Sequence, residues 1–254
     1  MLRYPRDSQG GSNDRKDYDA HYPSLFRLRA RLLMSVNAGA QDRAVIEKEI
    51  GALREQLKQK EDELLAPSAE DRVRFAQFLS QRDTGIARLM PREKYRDKLT
   101  IREGGAYYSF TRQSNSYDRD PQIGLDQGSL NTGFAGADFG FLTSLGDAPL
   151  EDVGLASQAV AYLAEFVAPA PEPSAREQQR RTGAGFIDAG HTYRRSLPAV
   201  INHTYILRSI SYDRFDVLIA FRVVREDTDG SLILLWKKLK EFPTPFLIRQ
   251  QAQQ

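Results

Sequence analysis

Cysteine is missing from all 254 residues, so disulfides, thiolate nucleophiles and Cys-based zinc or iron–sulfur sites are excluded. Histidine is scarce, with only His21, His191 and His203. No HExxH, P-loop, GxGxxG or GxSxG sequence occurs, and none of the chemistries they carry is indicated. Gly133-Phe-Ala-Gly136 and Gly140 are too loosely spaced, and follow no long buried strand, to form a dinucleotide loop. Asp227-Thr-Asp229-Gly230 begins like a calcium loop, but no acid stands at the twelfth position, which Lys238 occupies. A hairpin turn accounts for it better. Long apolar runs are lacking too: the stretch Ser24 to Met34 is interrupted by Arg27, Arg29 and Arg31 and is too short to span a bilayer. The first twenty residues contain no apolar signal-peptide core, so the expectation is a soluble, cytoplasmic chain. Charge of one sign is also lacking. The 36 basic and 34 acidic residues leave a formal +2 with no basic block, which argues against nucleic acid as a partner.

What is present begins with residues 1–21, rich in Gly, Ser, Asn, Asp and Arg, which read as a flexible tail. Residues 22–95 read as a helical region. Ser24 offers an N-cap ahead of Leu25, Leu28, Leu32 and Val36, and Asn37-Ala-Gly39 offers a stop. From 41 to 65 the pattern is the clearest in the chain. Ile46, Ile50, Leu53, Leu57 and Leu64 step by four, three, four and seven, a heptad seam with Lys60 in the one unfilled place. With Ile50 and Leu57 at a, Glu49 falls at g and Arg54 at the following e, an attractive pair across a parallel dimer. A stripe this narrow fits another helix, either from a second chain or the helix before it. Ala66-Pro67 ends the run, and Ser68 with Asp71 opens a further helix.

After Asp97 the periodicity becomes alternating. Leu99–Ile101 and Ala106–Phe110 read as a strand bulged at Gly104-Gly105, followed by short strands at 123–126, 129–134 and 139–145. A helix is expected over 149–167 and a proline linker over 168–175. Phe215, Val217, Ile219, Phe221 and Val223 alternate without a break, and Leu232 to Trp236 returns as a strand apolar on both faces. The fold class is therefore α+β: an N-terminal helical, coiled-coil-like region followed by a mostly antiparallel β-rich body, 96–248, with one internal helix.

Candidate binding residues come from the aromatic and basic stretch around Tyr107. Arg102, Tyr107, Tyr108 and Tyr117 can form an aromatic surface, although alternation sends Tyr107 and Tyr108 to opposite faces. His191 and His203 sit on consecutive expected strands and can contribute to the same surface or, with Asp188 or Asp213, to a metal site. Arg194-Arg195 and Arg180-Arg181 are short basic pairs that can touch an anion or simply form solvated surface. Asn202-His-Thr204 fits a glycosylation sequon.

The runs Leu99–Phe110, Gly133–Phe141 and Asn202–Ser209 resemble those of an uncharacterised bacterial protein family, over most of the chain after about Gln41. The resemblance implies an exported relative and supplies no catalytic residue, metal or cofactor. The leading expectation is a non-enzymatic interaction or structural protein. It self-associates through Ile46, Ile50, Leu53, Leu57 and Leu64, or meets a protein partner, and binds through its β body. The alternative is a hydrolase whose cleft uses carboxylates with His191 or His203.

Overall fold

A computed structural model describes residues 24–118, 120–134 and 136–249, with side chains from 42 onward. The expectations for the tail 1–21, for His21 and for the side chains of the Ser24–Met34 stretch lie outside what is described. The chain divides into two units, residues 1–55 and 56–254. The helices are α1 (Ser24–Leu65), α2 (Ala69–Arg74), α3 (Ala76–Leu79), α4 (Arg92–Tyr95), α5 (Gln158–Glu165) and α6 (Glu172–Ala184). The strands are β1 (Thr84–Leu89), β2 (Tyr107–Ser109), β3 (Ser114–Asn115), β4 (Ile123–Asp126), β5 (Ser129–Asn131) and β6 (Phe139–Ser144). The remaining strands are β7 (Phe186–Asp188), β8 (His191–Tyr193), β9 (Ser196–Pro198), β10 (Thr204–Ser211), β11 (Phe215–Glu226) and β12 (Leu232–Glu241). The molecule is α+β, and every pairing between these strands is antiparallel.

The body is built on one five-stranded sheet, ordered β1-β12-β11-β10-β6, that is apolar on both faces. Alternation divides its side chains. Leu218 and Ala220 of β11, Ile233 and Leu235 of β12, and Phe139 and Phe141 of β6 face one core, which α5 and α6 cover with Val160, Leu163 and Ala175. Val217, Ile219, Phe221 and Val223, with Leu232, Leu234 and Trp236, face the other. A second sheet, ordered β3-β2-β4-β5-β9, closes that side with Tyr108, Phe110, Ile123, Leu125 and Leu130. Each large apolar side chain taken from water this way contributes roughly 1.5–3 kcal/mol. The hairpin turn carries Gly230 at φ 83°, and Tyr95 Oη donates to Asp229 at 2.9 Å, so the acids of the calcium-like sequence serve the turn.

Several expected boundaries are corrected. Asn37-Ala-Gly39 does not stop a helix: α1 runs unbroken from Ser24 to Leu65, which removes the helical hairpin. One glycine costs a helix only about 1 kcal/mol, and the flanking Ala, Gln and Arg favour continuation. The region 22–95 also contains β1, an edge strand on β12. Its Gly85 lies flat against Trp236, where a Cβ would sit 2.4 Å from the indole. Leu99–Ile101 is not a strand; a tight helical turn at Arg102–Gly105 follows it, with Glu103 and Gly104 at positive φ. The helix 149–167 shrinks to α5. The linker 168–175 contains the start of a second internal helix, α6, with Pro171 as its N-cap and Pro173 in the first turn. There a missing N–H costs nothing and a fixed φ helps.

One charged network holds α2 to the long hairpin. Ser68 Oγ accepts from the Asp71 amide at 3.0 Å and Asp71 Oδ2 accepts from the Ser68 amide at 3.3 Å, a reciprocal cap. Arg225 donates to both Asp71 oxygens, at 2.8 Å from Nη2, and to Asp227 at 2.5 Å. Burial pushes the Asp71 carboxyl up, but the bonds from Arg225 and Ser68 outweigh it and hold the group below the ordinary value of 3.8. A carboxylate depressed in the folded state stabilises the fold above its unfolded pKa, and loses that contribution as pH falls through the folded value. Asp71→Asn is therefore expected to lower the melting temperature clearly at pH 7. The gap to wild type narrows as pH falls from about 5 toward about 3, because wild type then protonates the same group. Paired thermal melts across that range check it; a gap independent of pH contradicts the assignment.

Candidate binding cleft

The second sheet brings together residues that lie far apart in sequence. Tyr107 on β2 stands opposite Gly124 on β4. A Cβ at 124 would lie 2.8 Å from two atoms of the Tyr107 ring, so the bare backbone at Gly124 makes room for the ring. Tyr107 meets Tyr117 and Phe134 edge-on, each with centroids 4.9 Å apart. Arg102 stacks over Tyr117 at 4.3 Å and donates to Asp118 at 2.6 Å. The result is an aromatic ridge with a cavity on either side, both lined by Tyr117 and Phe134.

The first cavity, about 330 Å³, is lined by polar groups besides the rings. Asp126 is held in place by Arg92, which also donates to Glu103 at 2.6 Å. Asn131 donates its amide N–H to the Ser129 carbonyl at 2.9 Å, leaving its carbonyl oxygen as an acceptor. Gln179 of α6 donates to the Gly136 and Asp138 carbonyls, both at 3.1 Å, and likewise presents a free acceptor. Arg195 is exposed and forms no ion pair among the described residues. Burial, ahead of nearby charges, raises the Tyr107 phenol, so it stays protonated at neutral pH. The second cavity, about 220 Å³, holds Asp138, Ser211 and Arg214. Burial pushes the Asp138 carboxyl up, although the Ser211 hydroxyl donates to it at 2.8 Å and the Tyr212 amide at 3.2 Å.

Of the sequence-derived surface, Arg102, Tyr107 and Tyr117 come together. Tyr108 does not: it points the other way and is buried between the sheets, edge-on to Phe110 at 5.3 Å. His191 lies in β8 opposite Asp188, on the small two-stranded sheet with β7. His203 precedes β10, its Nδ1 3.3 Å from Ser144 Oγ. Neither histidine lines the two cavities. Among the described residues no three His, Asp or Glu side chains converge as a metal site would require. At the sequon, Thr204 is buried and its hydroxyl donates to the Ala148 carbonyl at 2.5 Å. Phe134, Asn131 and Gln179 escape sequence reading, and Arg195 is read only as half of a basic pair, because only the pairing of β5 with β9 and the packing of α6 bring them to Tyr107.

At the other end of the chain, the seam residues of α1 are open to solvent: Ile46 52%, Ile50 42%, Leu53 64%, Leu57 47% and Leu64 39% exposed. The last turns of α1 are tied to the body. Glu61 accepts from the Thr100 amide at 2.6 Å and from its hydroxyl, and Leu65 is buried.

Compared with protein-family models, curated proteins and solved structures, the chain matches none of them. No helix among the described residues is long and apolar enough to cross a membrane.

Proposed function

We infer that this chain is a non-enzymatic binding protein that self-associates through α1 and takes a ligand or partner on its β body. The observation that carries the reading is the row of five aliphatic side chains, three and four residues apart, left uncovered on one helix. An apolar stripe of that width is buried by a second helix of the same periodicity, and a second copy of the chain supplies one. Lys60, in the unfilled seam position, is occupied with Glu63 at 2.7 Å, so its ammonium can leave the seam for the helix edge. The aromatic ridge with its polar cavities supplies the binding face of the body.

The absence of cysteine provides a clean test. In a parallel, in-register pair, residue 53 at d faces its counterpart across the seam, within disulfide reach. Residue 55 at f points away. Mild oxidation is expected to join Leu53→Cys into a covalent dimer and to leave Glu55→Cys monomeric on a non-reducing gel. Equal cross-linking of both variants, or of neither, contradicts the parallel pair. The hydrolase reading requires a histidine and a carboxylate in one cleft; the Asp138–Ser211 pair of the second cavity has no histidine among its lining residues, and His191, opposite Asp188, lines neither cavity.

A further inference from the structure

We propose that the cavity between Tyr107, Phe134 and Arg195 binds an acidic sugar, a hexuronic acid residue, free or within an oligosaccharide. The proposal rests on the reading of the β body as a binding module and names what it binds. Three features select the ligand. The rings of Tyr107 and Phe134, set edge to face, form an apolar corner, and the C–H face of a pyranose can lie on one ring face of it. The fixed polar groups are mostly acceptors: the Asp126 carboxylate, the Asn131 carbonyl and the Gln179 carbonyl, each oriented by a hydrogen bond or ion pair made elsewhere. Acceptors held in place call for a ligand rich in hydroxyl donors.

The third feature is charge. Arg195 is the lone guanidinium on the cavity wall and is free of any ion pair among the described residues. It is therefore available for a bidentate carboxylate. One cation facing one fixed carboxylate suits a ligand with a single negative charge and several hydroxyls. A nucleoside di- or triphosphate would need several cations or a cluster of backbone donors. An apolar ligand would leave the amides unpaired. Neutral sugar would use the ridge and the acceptors but not Arg195.

The probe pair is galacturonate and its methyl ester, which differ by one charge and little in shape, titrated calorimetrically into the full chain. The acid is expected to bind saturably, with the ester at least about tenfold weaker. Arg195→Gln should lose about the same factor for the acid alone. Asn131→Asp, which sets a carboxylate against the ligand's hydroxyls and acid, should weaken the acid by more than the ester. No saturable heat from the acid at about 10 mM, weaker than any useful contact of this kind, overturns the proposal, as does equal or tighter binding of the ester. Should a variant fail to fold, the acid–ester comparison on wild type still decides. Light scattering on the same samples separates the two readings: a dimer that ignores both sugars sinks the sugar alone, and a monomer that binds the acid sinks the self-association.

Discussion

Replacing Asp216 by Ala is expected to destabilise the body by about 3–5 kcal/mol, the cost of leaving one charge of a buried pair uncompensated. For a unit of this size that corresponds to roughly 6–20 °C in melting temperature. Arg208 and Asp216 are paired side by side across β10 and β11, at 2.9 and 2.7 Å, with 2% and 3% of their side chains exposed. Burial pushes the Asp216 carboxyl up, and the bonds and charge of Arg208 oppose it. The guanidinium also donates to the Leu163 and Phe166 carbonyls at the end of α5, both at 2.5 Å, and stacks on Phe242 at 3.7 Å. One side chain thus pins the helix layer to the sheet and satisfies carbonyls that α5 leaves unpaired at its C-terminus. Removing Arg208 and Asp216 together, as Met and Leu, should recover only part of the loss, because those two carbonyls stay buried without donors. Chemical denaturation of wild type, Asp216→Ala and the double variant measures all three. A double variant as stable as wild type would show that the helix carbonyls find another partner.

The second large effect is on assembly. Lysine at both Ile50 and Leu57 is expected to separate the protein into monomers while the melting of the β body stays within about 1 °C of wild type. Each substitution removes roughly 1.5–3 kcal/mol of burial per chain and adds a charge that must be desolvated to re-form the seam. The melting transition is spared because both side chains face solvent within their own chain. Were either one covered within its own chain, the double variant would melt lower with its mass unchanged. Light scattering and a melting curve on the same two proteins distinguish these outcomes.

The hairpin of β11 and β12 is legible in the sequence because its alternation runs the whole strand and its turn has a glycine with positive φ. The same alternation explains why Tyr108 leaves the surface while Tyr107 stays on it. Where the sequence misleads, the decisive partner is distant. β1 is a six-residue strand that, among the described strands, pairs only with β12, and nothing near Thr84 announces it. The prolines at 171 and 173 look like a linker until α6 is seen to start on them. The same distance hides the cleft: its acceptors reach Tyr107 from β5 and α6. Arg194-Arg195 reads as a basic pair able to touch an anion, but the wall it belongs to becomes visible only in three dimensions. The helical seam is the opposite case. Its spacing is local and so can be read directly, whereas what covers it does not follow from the spacing.

The most direct test of that seam is the mass of the wild-type chain in solution. Size-exclusion chromatography with light scattering, run from about 10 μM upward, covers affinities a modest coiled coil reaches. Self-association through α1 predicts twice the 28.8 kDa chain mass, falling toward one chain mass on dilution. A mass of one chain across the whole series would contradict it.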